Sequence, residues 1–140
     1  DGDCFAFGEV KTSSEAKYPP QVVSKKDTGL RKQLEDLRDK EQDRDQLWRY
    51  LAHRHSGKPW AQRFREASKR YIRNKADVRL YGFLVRDVPP HEDDLKVRVT
   101  KLAESCPDGT TIELLALYLP EGRINGLGAA VVAHWQGANA

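Results

Sequence analysis

The chain contains no methionine and only two cysteines, Cys4 and Cys106, in 140 residues. Two cysteines make no disulfide framework, and no Cys/His spacing here resembles a zinc site, so a reducing, cytoplasmic setting is the expectation. No apolar run approaches the ~20 residues needed to cross a bilayer. The start carries no basic segment ahead of its first apolar run, which excludes a signal-peptide pattern. Gly122, Gly126 and Gly128 do not follow the strand-loop-helix order of a phosphate-binding loop. No Ser-His-Asp elbow is present either. Secreted disulfide scaffolds, zinc modules, helical membrane proteins, P-loop enzymes and serine hydrolases are thereby set aside.

What is present is charge, unevenly placed. Residues 24–75 hold 16 Lys and Arg against 8 Asp and Glu, a net of +8, between flanks of −2 (residues 1–23) and −3 (residues 76–140). A basic block of this kind either is a solvated helical surface or attracts a phosphate backbone.

Alternation over Cys4–Thr12 predicts a strand. The Asp1-Gly2 pair before it is favoured in tight hairpin turns, so a partner strand is expected before residue 1. With the missing methionine, this reads as one domain, residues 1–140, of a longer protein. Residues 1–23 would carry an active-site strand and loop, residues 24–76 a basic helical region, and residues 77–140 the strand-helix-strand remainder. Residues 13–28 read as loop with one short helical turn. Asp27 or Thr28 could cap the next helix, on which Leu30, Leu34 and Leu37 share a face continued by Leu47, Trp48 and Leu51. The polar stretch between is either the exposed middle of one helix or a break between two. Pro59 suits the first turn of another helix, with Trp60, Phe64, Ala67 and Tyr71 inward and Arg63, Arg65, Lys69, Arg70 and Arg73 outward. Val78–Val88 predicts an internal strand, 91–105 a short helix, Thr111–Leu119 a second buried strand and Ala129–Trp135 a last strand. The order gives an α/β fold, a mixed central sheet flanked by helices.

Gly8-Glu9-Val10-Lys11 is the sharpest chemical feature. On a strand, Glu9 and Lys11 share one face, roughly 7 Å apart along it. A carboxylate and the Val10 carbonyl are hard oxygen donors for Mg²⁺ or Mn²⁺. A lysine beside them can steady a developing phosphoryl charge. Acid-x-Lys recurs at Glu15-Ala16-Lys17 and Asp94-Leu95-Lys96, but those lie in a loop and in a predicted helix, where i and i+2 do not share a face. Glu and Lys are depleted from strands, so two on one face call for a reason; a surface ion pair is the plain alternative to chemistry.

On these residues, GEVKTS at 8–13 followed by helix, strand, helix and strand, the chain resembles the PD-(D/E)xK superfamily of restriction-endonuclease-like nucleases. The resemblance implies metal-dependent phosphodiester hydrolysis of DNA, or less readily RNA, with Glu9 as metal ligand and Lys11 as catalytic residue. It further implies a Gln or Lys on the next helix near the site, for which Gln33 and Lys32 are the candidates. The family's other acid is expected upstream of residue 1, because Asp3 lies about 20 Å from Glu9 along an extended strand. The segments YGFLVRDVPP and TTIELLALYLP are similar to nuclease subunits of Hachiman-type bacterial antiphage systems, which implies a defence role and a partner domain or subunit. The rival expectation is a non-catalytic nucleic-acid-binding or protein-interaction module that works through the Arg-rich helices.

Of the remaining residues, His53 and His55 sit near a helix end and suit capping or phosphate contact. His91 and His134 stand alone. Trp48, Trp60 and Tyr71 are expected in the core, and Cys4 buried on the strand face opposite Glu9.

Overall fold

The computed structural model describes residues 2–54, 56–95, 101–102 and 104–138. Strand β1 spans Phe5–Ser13, and four helices follow: α1 Gln21–Ser24, α2 Leu30–Asp39, α3 Glu41–Ala52 and α4 Ala61–Arg73. Strand β2 (Val78–Arg86), a 3₁₀ turn at Glu92–Asp94, strand β3 (Thr111–Tyr118) and helix α5 (Ile124–Ala138) complete the order. Among the described residues no helix is long and apolar enough to cross a membrane.

The sheet runs β1-β2-β3 with β2 central. Both pairings are parallel, Phe5 opposite Val78 and Arg79 opposite Thr111. A mixed sheet was expected; among the described residues it is parallel throughout, and α1–α4 form the long crossover that returns the chain from the end of β1 to the start of β2. Two further expectations give way. Ala129–Trp135 is helix, not strand: Asp87 Oδ2 accepts the Ile124 N–H at 3.2 Å, and the alanines that follow favour helix over the local pull of Val131-Val132. Thr111–Tyr118 is a half-exposed edge strand, with Leu115 45% and Leu117 53% exposed. The predicted helix at 91–105 is seen as the 3₁₀ turn and a few helical residues from 101 on; residues 96–100 and 103 lie outside the described residues, as do Asp1 and His55.

Odd-numbered residues of β1 and even-numbered residues of β2 face the helices. There Phe5, Phe7, Leu80, Leu84 and Val78 meet Leu30 and Leu34 of α2 and Phe64, Ala67 and Tyr71 of α4 in one core. Phe5 sets its ring edge-on to Phe64 and Tyr71, at 5.4 and 5.8 Å between centroids. Trp60 departs from its expected place. It is the residue before α4, 39% exposed, because Pro59 delays the helix start by two residues. Trp48 is partly buried, its Nε1 donating to Ser68 Oγ at 3.0 Å to tie α3 to α4. Cys4, expected buried, is half-buried at the sheet's rim.

The polar stretch after Leu37 is a break between two helices. Lys40 turns the chain at φ −103° and ψ 94°. The carbonyls this leaves open at the end of α2 are taken by Arg44, which is 5% exposed and donates to the Leu37 and Arg38 carbonyls, the second at 2.7 Å. Gly29, rather than Asp27 or Thr28, sits at the N-terminal cap of α2.

Candidate active site

Glu9 and Lys11 lie on the helix-facing side of β1, beyond the aromatic cover that buries Phe5 and Phe7. The Lys11 ammonium meets Glu9 Oε1 at 2.5 Å, with the side chains 23% and 29% exposed. The pair is therefore neither split across the sheet nor sealed in the core. It sits where the apolar layer ends, close to the carboxyl ends of parallel strands, the usual place for ligand crevices in open α/β sheets.

Beside it lies an open groove of about 600 Å³ between β1, α2 and α3. Glu9 and Gln33 both line it, with Gly8, Asp36, Leu37, Asp43, Gln46, Leu47 and Tyr50. Gln33 reaches it because α2 sits close on the sheet. Gly82, opposite Glu9 in the β1-β2 register, allows that approach: a Cβ there would fall 2.7 Å from Leu34 Cδ1 and 2.1 Å from Leu114 Cδ2. A side chain at 82 would push the tips of Leu34 and Leu114 out of their present places. The Gln33 amide donates only a long bond, 3.5 Å, to the Asp27 carbonyl, so it is little constrained. Lys32, the other candidate, is engaged with Asp36 at 2.5 Å. Bonds from Lys32 and then Lys40 hold the Asp36 carboxyl below its ordinary pKa.

Asp36, Asp43, Gln46 and Tyr50 were not singled out from the sequence. Asp43 and Gln46 lie in the stretch 38–46 that read as polar on all sides, and the break at Lys40 sets α3 so that they line the groove beside β1. The apolar Leu47 and Leu51 at its far end were the available signal that α3 returns to the body of the protein.

The donor types suit a hard divalent cation: the Glu9 carboxylate and the Val10 carbonyl. The Val10 side chain points to the opposite, open face, 58% exposed, so only its main chain could serve. Among the described residues, no group of three or more His, Cys, Asp or Glu is gathered that could hold a metal ion. The protein's share of a metal shell is right in kind and short in number.

Of the five basic residues of α4, three are engaged. Arg63 Nε donates to Asp3 Oδ1 at 2.9 Å and Lys69 Nζ to Glu66 at 3.0 Å. Arg70 grips both carboxylate oxygens of Asp77, which raises its pKa further, and also donates to the Gly2 carbonyl at 3.1 Å. That bidentate, three-point contact makes Arg70 a clamp between α4 and the strand entries. The Arg63 and Lys69 pairs are open, with 78% and 70% of the basic side chains exposed, and exchange readily for a phosphate. Arg65 and Arg73 are exposed and have no partner among the described residues. Helix α3 stands between this face and the groove, presenting exposed Tyr50 with the Arg54 guanidinium 4.7 Å from its ring centroid.

The histidines take structural or plain positions. The N–H of His53 closes the end of α3 on the Arg49 carbonyl at 3.2 Å. His91 stacks on Tyr18 at 4.2 Å and accepts from the Asp93 N–H, and His134 is exposed on α5.

Fold and site together define a parallel α/β domain with a carboxylate–lysine pair beside an open groove of mixed polar and apolar lining. No family model, curated protein or solved structure matches the chain.

Proposed function

We propose that this domain is a divalent-metal-dependent nuclease of the PD-(D/E)xK type, cutting DNA in the cytoplasm as part of a bacterial antiphage defence system. One observation carries the reading: Glu9 and Lys11 project from one strand face into contact and Glu9 opens onto a groove that also holds Gln33. A structural ion pair would need no such opening.

The groove wall carries three carboxylates, Glu9, Asp36 and Asp43, of which Glu9 is paired with Lys11 and Asp36 with Lys32 and Lys40. Glu9 and the Val10 carbonyl are the residues that would hold Mg²⁺ or Mn²⁺, with a further acid needed from outside the described residues. When bound, such an ion polarises phosphoryl oxygens and makes hydroxide accessible near neutral pH. Lys11 stabilises negative charge gathering on the phosphoryl oxygens, from a site whose half-burial strengthens the attraction. Gln33 offers an amide to orient water or a non-bridging oxygen. Arg63, Arg65, Lys69 and Arg73 hold the backbone across the outer face of α4, while Arg70 keeps that helix in place.

The test is cleavage of end-labelled DNA by the natural protein with Mg²⁺ or Mn²⁺. Glu9→Gln and Lys11→Ala are each expected to lose at least about 100-fold in rate while DNA binding stays within a few-fold. A chelator is expected to stop the wild type. Cleavage retained by both variants overturns the proposal. Tight, salt-sensitive binding with no metal-dependent cutting by the natural protein would assign the domain to the rival class, a nucleic-acid-binding module.

A further inference from the structure

The sheet has a second face, much of it open to water: Val85 on it is buried at 5%, but its neighbours on β1 and β3 are exposed. The odd-numbered residues of β2 and β3 and the even-numbered residues of β1 point there. Two successive register rows, Val10–Phe83–Leu115 and Thr12–Val85–Leu117, make its half nearest the strand C-termini apolar. Val10, Leu115 and Leu117 are 58%, 45% and 53% exposed. Parallel sheets are covered on both faces almost without exception, so a bare one marks a missing layer.

The same chain carries a helix with no layer to join. α5 is 15 residues long, holds no Asp, Glu, Lys or Arg, and leaves Val131 58% and Val132 54% exposed. A helix of this length is marginal in water even with an ideal sequence. Gly126 and Gly128 each weaken it by about 1 kcal/mol relative to Ala. It needs an apolar surface to persist. Its start is pinned at the C-terminal end of the sheet, with Leu119 N–H on the Arg86 carbonyl at 2.7 Å and Ile124 N–H on Asp87. Its first turns are partly covered at Ile124 and Leu127, and beyond them residues 128–134 are exposed.

We propose that the bare face is an interface between two copies of this chain, each laying its α5 on the other's sheet. The pieces match in length: α5 spans about 22 Å, against about 30 Å of strand. They match in character, since neither the helix nor the apolar half of the face carries a charge; Arg79 and Glu113 lie at the opposite end. A two-fold exchange covers two helices and two faces at once. At about 10 Å of helix width the four flat footprints together approach 900 Å². The accessible area lost is larger than the flat footprint and reaches the ~1,000 Å² at which specific interfaces begin. An exchange of identical elements also needs no third component. The inference does not depend on the nuclease reading, because Glu9 and Lys11 lie on the other side of the sheet.

The mass of the chain in solution tests it, by size-exclusion chromatography with light scattering at high micromolar concentration. A dimer is expected, with Leu117→Glu and Val131→Glu each giving monomers; both side chains are exposed, so neither charge enters the core. A monomeric wild type, or dimers in both variants, overturns the proposal. A second measurement fixes who covers whom, in a background with Cys4 and Cys106 changed to Ser. Copies with Leu115→Cys alone are mixed with copies carrying Val131→Cys alone and oxidised. A disulfide-linked species of twice the mass is expected. A link formed instead within single chains of the doubly substituted protein, with none between copies, shows α5 closing on its own sheet and overturns the exchange.

Discussion

The two faces of one three-stranded sheet differ more than any two regions of the chain. Both have the same ladder and comparable apolar content, yet one buries Phe5, Phe7, Leu80 and Leu84 under four helices and the other leaves Val10, Leu115 and Leu117 in water. The Glu9–Lys11 pair sits at the margin of the covered face, where α2 packs on β1 and β2 and the apolar layer stops just short of Glu9. A charged pair deeper in that layer would lose its solvent and its groove; on the bare face it would lose the supports that set Gln33 beside it. The comparison teaches that the covered face positions groups, while the second face leaves large apolar side chains in water, the basis of the proposed association.

The covered face also tolerates a full charge, and removing it is the strongest way to break the comparison. Arg86 is fully buried at the end of β2. It donates to Ser13 Oγ at 3.3 Å and to the Glu15 and Lys17 carbonyls at 2.8 and 3.2 Å, and its Nε stands 3.5 Å from Asp94, itself 1% exposed. Tyr118 donates its hydroxyl to the same Asp94 oxygen, Oδ2, at 2.9 Å. The arginine thereby ties the loop after β1 to the 3₁₀ turn and to β3. Arg86→Met strands Asp94 as a buried charge and leaves two carbonyls open. Stability to urea is expected to fall by about 3–5 kcal/mol. Adding Asp94→Asn should recover part of that loss, since the cost of an isolated buried charge exceeds the worth of the pair. A single variant within 1 kcal/mol of wild type would show that the cluster is solvated.

A milder pair of truncations sharpens the contrast directly. Leu34, fully buried on α2 above Gly82, is expected to cost about 3 kcal/mol on replacement by Ala, through lost burial and the cavity left behind. Leu115→Ala removes the same atoms from the bare face and is expected to cost under about 1 kcal/mol in dilute protein. Equal losses at high dilution would mean that the second face is covered within one chain. A Leu115→Ala penalty that grows with protein concentration would show the second copy arriving there.

How much of this was legible in the sequence follows the same division. The alternation of β1 and the stripe Phe64, Ala67, Tyr71 are local signals of the covered face, and they sit where expected. Glu9 and Lys11 share a face because strand geometry alone dictates it. Gln33 came from a family resemblance; the close packing of Leu34 over Gly82, on the same helix, shows only once α2 lies on the sheet. Arg44 and Arg86 look like surface residues until partners at residues 37–38 and 13–17 are brought to them. The reading of β3 as a buried strand is instructive in its error. Its continuous apolar run calls for cover on both sides, and the chain supplies one. The misreading of α5 has the same root: Val131 and Val132 are chosen for an apolar surface, and with no partner in view they resemble strand residues.

The smallest effect is confined to alkaline pH and reports on the covered core. Tyr71 is 1% exposed, and its hydroxyl donates to Asp45 Oδ1 at 2.9 Å, beside Lys75 at 2.5 Å from the same oxygen. Burial, then the bond to Asp45, pushes its pKa from 10.0 to about 12. The folded state thus holds the phenol proton more tightly than the unfolded chain. Its contribution is full below pH 10 and is lost as pH rises from 10 towards 12, because the unfolded chain ionises first. The loss is expected to be on the order of 1–3 kcal/mol over that window. Urea midpoints measured between pH 9 and 11.5 should fall more steeply for wild type than for Tyr71→Phe. Phenolate absorbance should show one late-titrating group that the variant lacks. Parallel curves, with no late group, would mean that water reaches Tyr71 and that the covered face is less closed than its packing indicates.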